Sequence, residues 1–143
     1  MFRLLMIPLL LGVSSIASAQ TLTFADVKAR NATQLTADEL RELIPRANVV
    51  SRMPQGSTRR WQNKPDGTFT ASSEARGSSG GRKNYATGAG TWRVRDNGTL
   101  CVTIAWQNSP EDWCRYVFKA GDKYYAVGRR EDNAAASEFE FTK

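Results

Sequence analysis

Apolar and polar residues alternate in short runs through most of the chain, and that period of two predicts β-strands. Leu100, Val102, Ile104 and Trp106 alternate with Cys101, Thr103 and Ala105, the pattern of a strand with one buried face. Trp92 and Val94 alternate with Thr91, Arg93 and Arg95, and Phe139 and Phe141 with Glu138 and Glu140. Shorter runs predict strands at Asn48–Arg52, with Val49 and Val50, and at Thr68–Ser73, with Phe69 and Ala71 on one face. Trp61 is the apolar contribution of the polar stretch Ser57–Asn63, which pairs with 68–73 as a hairpin across Pro65-Asp66-Gly67.

One stretch departs from the two-residue period. Leu40, Leu43 and Ile44 recur at helical spacing, Thr36 and Glu39 form a capping box, and Leu35 can meet Leu40 as a hydrophobic staple. Pro45 ends this short amphipathic helix, which is expected to plug one end of a sheet. Gln20–Gln34 is polar and mixed and is expected to be extended or poorly ordered. Ala75–Gly90, centred on Gly77-Ser78-Ser79-Gly80-Gly81, has too little apolar content to pack and reads as a mobile loop.

The densest signals lie between Gly90 and Val127, which hold both cysteines, three of the four tryptophans and three of the four tyrosines. Turns at Asp96-Asn97-Gly98 and Ala120-Gly121-Asp122 divide this region into an antiparallel meander. With the flanking strands it predicts a mainly β fold: a small antiparallel barrel or meander of about seven strands with one short N-terminal helix. A plain hairpin joining 100–106 to 113–119 would oppose Cys101 with Phe118. The two cysteines would then be too far apart to bridge, so a bulge or a bent strand end is needed to bring them together.

The first residues change the picture of where the protein works. Arg3 precedes an apolar run from Leu4 to Val13 that is too short to span a bilayer, and Ala17-Ser18-Ala19 suits a signal peptidase. Residues 1–19 are therefore read as a signal peptide, 20–34 as an extended N-terminal segment and 35–143 as a single β-rich domain. Export to a periplasmic or secreted location implies an oxidising compartment, where Cys101 and Cys114 are expected to form one disulfide. The formal charge of +6 over 143 residues falls by one when Arg3 leaves with the leader, and it favours anionic partners.

Five motifs carry a resemblance: Asp66-Gly67-Thr68, Gly90-Thr-Trp-Arg-Val, Asn97-Gly98-Thr-Leu-Cys, Trp113-Cys114 and Gly121-Asp122-Lys-Tyr-Tyr. On these the chain resembles, over Leu35 to Val127, a family of small secreted Gram-negative bacterial proteins catalogued as a domain of unknown function. The resemblance implies a periplasmic β-rich domain with Cys101 and Cys114 paired, and it brings no catalytic residues. The Gly-x-Trp opening is also similar to that of lipocalin-like barrels, an analogy of fold alone.

Candidate chemistry is sparse. The chain has no histidine, which excludes Ser-His and Cys-His mechanisms and the commonest metal ligand. Glu111 and Asp112 are adjacent and point to opposite faces of an extended chain, while Glu138 and Glu140 read as the solvent side of an edge strand. No enzyme activity, metal or cofactor is expected. The binding candidates are Trp61, Trp113, Tyr124 and Tyr125 with Arg59, Arg60 and Arg115, since aromatic faces stack on ligands and arginine pairs with phosphate or carboxylate. Trp92 and Trp106 read as core, and Arg59-Arg60 also fits a solvated strand edge. The expected function is binding of an anionic envelope glycan, lipid or small ligand; the alternative is an inhibitor or accessory protein acting on a cell-wall enzyme. Export and the lack of a recognised module disfavour nucleic acid.

Overall fold

The computed structural model describes residues 20–54, 56–76 and 83–143. Residues 1–19, read from the sequence as a signal peptide, Gln55, the glycine run Gly77–Gly81 and Arg82 lie outside them. The fold is a closed antiparallel barrel of eight strands: β2 (Asn48–Arg52), β3 (Thr58–Gln62), β4 (Thr68–Arg76), β5 (Lys83–Val94), β6 (Thr99–Trp106), β7 (Pro110–Ala120), β8 (Lys123–Val127) and β9 (Ala136–Thr142). Each strand pairs with its sequence neighbour, and β9 returns to β2, where Ser51 opposes Phe139. A two-residue strand, β1 (Thr33–Gln34), lies along β7 at Lys119 and Phe118, just beyond the point where the β6 pairing ends at Tyr116.

Helix α2 (Ala37–Leu43) forms where the capping box predicts it, with Thr36 Oγ1 accepting from Glu39 N at 3.2 Å and Thr36 N donating to Glu39 Oε2 at 2.7 Å. Its Leu40, with Ile44 and Ala47 beyond its end, drops into the barrel against Val49, Trp61 and Phe141. This closes the end at which the tight turns lie. Two of those turns share one grammar: Asp66 and Asn97 each accept from the backbone and hydroxyl of the threonine two residues on, around Gly67 and Gly98 at φ 87° and 81°.

Three sequence expectations change. A second helix, α1 (Phe24–Ala29), occupies the segment read as extended, capped by Thr23 and Asp26, and lays Phe24 and Val27 on the outer face of β7 to β9. The stretch 75–90 is largely strand: β4 and β5 pair continuously from Thr68↔Thr91 to Arg76↔Lys83. Small residues suffice there because Phe69 and Ala71 of β4 supply the apolar side against Gly90 and Gly88. The cysteines need no bulge, because β7 begins at Pro110 rather than at 113, and the earlier start shifts the hairpin until Cys101 opposes Cys114. Proline tolerates that position because a first strand residue need not donate to the ladder. The bridge is formed, with Cα atoms 4.0 Å apart.

Candidate functional site

The barrel interior changes character along its axis. Near α2 it is apolar; toward the opposite mouth the inward positions become Arg59, Trp106, Glu111, Trp113, Arg115 and Ser137. Pairing across the ladder forces this arrangement, since Ile104 opposes Glu111, Val102 opposes Trp113 and Leu100 opposes Arg115. A polar set therefore shares the inner face with the core.

Glu111 is the hub. Its carboxylate accepts from Trp106 Nε1 at 3.0 Å and Trp113 Nε1 at 2.9 Å and forms an ion pair with Arg59. The side chains of Arg59 and Glu111 are each only 19 % exposed, which separates this pair from the surface bridges elsewhere on the protein. Burial pushes the Glu111 carboxyl upward, but the Trp106 indole, the Arg59 charge and the Trp113 indole outweigh it and hold the group below the usual glutamate range. Glu111 is therefore ionised at neutral pH.

The two arginines are less fully satisfied. Arg59 stands over the Trp106 ring at 5.5 Å, and its Nε is buried without a hydrogen-bond partner. Arg115 covers the Trp113 ring at 4.5 Å and donates to the neutral Ser137 hydroxyl at 3.2 Å. Among the described residues Arg115 forms no salt bridge. Burial lowers its pKa, Glu111 opposes that shift and the nearby Arg59 adds to it. Two guanidinium groups thus stand near one carboxylate, which pairs with Arg59 alone, in a site partly shielded from water.

A cavity of about 270 Å³ opens beside Arg115 and Ser137, walled by Met53, Pro54, Gly128 and Ala134, with Arg129 on its lining. A larger hollow of about 420 Å³ lies on the outer face of β4 to β7, but its walls are short threonines with Asp66, Asp112 and Arg93, charges of both signs.

Of the residues proposed from sequence, Arg59, Trp113 and Arg115 come together here, and four stand elsewhere. Trp61 is buried in the core, stacked on Phe69 at 5.1 Å. Arg60 points out of the barrel, 3.9 Å from Glu74, because it is next to the inward Arg59 on one strand. Tyr124 faces inward at the plugged end against Phe141, and its neighbour Tyr125 is buried on the outer face in the cluster with Phe24. Glu111 and Trp106 belong to the site and were read otherwise: Glu111 as a connection residue, Trp106 as core. The signal was available in the adjacency of Glu111 and Trp113, two apart and hence on one face once 110–112 is strand.

The sequence profile of a family described as protein of unknown function (DUF995) matches residues 9–114. The chain belongs to that family. The match runs from residue 9 through both helices and the strands to the second cysteine, so most of the DUF995 barrel, including Arg59, Trp106, Glu111 and Trp113, lies within it. No curated protein and no solved structure matches the chain.

Proposed function

We propose that this barrel is an exported, non-enzymatic binding domain that takes an anionic ligand, an envelope component or a small molecule, at its open mouth. One observation carries the reading: Arg115 lies half-buried near the Arg59–Glu111 ion pair and, among the described residues, has no carboxylate partner of its own, donating instead to the neutral Ser137 hydroxyl. Like charges held together away from water favour an added anion, and arginine offers it a planar fork of donors. The disulfide and the leader-like residues 1–19 support an extracytoplasmic setting.

The test uses the mature chain from residue 20. Its thermal unfolding is followed at fixed ionic strength while chloride is exchanged for acetate, phosphate or an anionic oligosaccharide, alongside an Arg115→Gln variant. Stabilisation by an anion in the wild type and its loss in the variant support the reading. No stabilisation by any anion sinks it. Cell fractionation with intact mass checks the compartment and the removal of residues 1–19.

A further inference from the structure

The cavity beside Arg115 has a shape and lining that specify more than charge. Its floor is the Arg115 guanidinium together with Ser137, whose side chain accepts from Arg115 Nη1 at 3.2 Å and so keeps its own O–H to donate. Its apolar lining comes from Met53, Pro54, Ala134 and Ala135. Arg129 also lines the cavity, but its charge is shared with Glu131 at 3.8 Å. One free cationic fork, one hydroxyl donor and apolar walls match a group with two acceptor oxygens on a hydrocarbon body.

Size narrows the class further. The volume of about 270 Å³ equals that of roughly nine water molecules at about 30 Å³ each. That is room for a compact organic acid within the cavity. From these features we propose that the mouth cavity binds a small organic monocarboxylate. Its carboxylate meets Arg115 and Ser137, and its short apolar tail lies against Met53, Pro54, Ala134 and Ala135. The proposal rests on anion binding at the mouth and names the ligand class for that same site. Trp113, held under Arg115 at 4.5 Å, is the reporter, because a carboxylate drawn to the guanidinium alters the charge above its ring.

The experiment titrates the mature chain with formate, acetate, butyrate, hexanoate and inorganic phosphate, at constant ionic strength, by calorimetry and tryptophan fluorescence. Affinity is expected to rise from formate to hexanoate as apolar wall is covered, at several-fold per two added methylenes. Arg115→Gln is expected to weaken hexanoate at least about tenfold. Because removing a half-buried arginine can perturb folding, Gly128→Phe serves as a second variant. Gly128 lines the cavity and a Cβ there meets no atom within 4 Å, so a bulky side chain at this lining position is expected to narrow the cavity without a clash at its Cβ. It is expected to weaken hexanoate by about tenfold or more while leaving the unfolding midpoint unchanged.

The failures are separable. Phosphate binding tighter than every acid, or affinity independent of chain length, overturns the monocarboxylate and leaves anion binding standing. Hexanoate binding that Gly128→Phe leaves intact places the acid elsewhere and overturns the site. No response to any of the five anions overturns both this proposal and the reading beneath it.

Discussion

Gly90 lies beneath the ring of Phe69, its partner across β4 and β5, so that a Cβ on Gly90 would stand 2.1 Å from the ring's Cε2. The ring cannot retreat, because it is buried and stacked on Trp61 at 5.1 Å. Gly90→Ala should therefore lower the unfolding free energy by about 1–3 kcal/mol. Ala89→Ser, on the exposed side of the same strand, should leave it within about 0.5 kcal/mol. Urea denaturation measures both, and an unchanged midpoint for Gly90→Ala would refute the contact.

A buried amide ties α2 to the barrel wall. Asn63 is 2 % exposed; it accepts from Trp61 Nε1 at 2.9 Å and donates to the Ile44 carbonyl at 3.0 Å. Replacing it with leucine leaves the indole N–H without a partner in a dry place, while the Ile44 carbonyl keeps the Ala47 N–H at 3.2 Å. The expected loss is about 1–3 kcal/mol for the group left unsatisfied. Chemical denaturation of Asn63→Leu decides this, and wild-type stability would mean that the indole N–H finds another partner.

The disulfide closes a short loop within one hairpin, its ends 13 positions apart in sequence. In the chain-entropy account a loop of that size contributes about 3 kcal/mol. The Cys101→Ser, Cys114→Ser double variant should lose about that much, and wild type treated with reductant under denaturing conditions should match it. Equal stability of the oxidised protein and the double variant would contradict the expectation.

Acid should weaken the mouth. Glu111 is held below its ordinary value of 4.5, so the folded protein gives up this proton more readily than the unfolded chain does. The stabilisation is complete above the unfolded pKa and disappears as the pH falls through the lower folded value. Wild type and Glu111→Gln should therefore differ in stability at pH 7 and converge toward pH 3. A gap that stays constant across that range would show that ionised Glu111 contributes nothing to the fold.

Local patterns were legible wherever one run of residues determines one element. The period-two face of Leu100 to Trp106, the Thr36 capping box and the turns at Gly98 and Gly121 all lead directly to the structure. Closure was legible only as a class, because the pairing of Val49 with Phe141 joins residues far apart in sequence and leaves no local trace. The hairpin register turns on Pro110: a connection running through 112 gives up three strand positions and hides Glu111 on the inner face. Helix α1 was missed although Thr23 and Asp26 form a capping box of the same design as that of α2. Its apolar content, Phe24 and Val27, is too short for a period to show. The mouth site needs closure and register together, which explains why only Arg59, Trp113 and Arg115 were named in advance.

The β2 to β9 seam also sets an order in time. Strand β9 is the last seven-residue element of the chain, and it alone joins β2 to β8. Until those residues leave the ribosome, two strands face solvent with open backbone donors and acceptors, and no local pairing can stand in for the missing one. The barrel is thus a fold that waits for β9: a chain cut short before Ala136 has no strand to join β2 to β8.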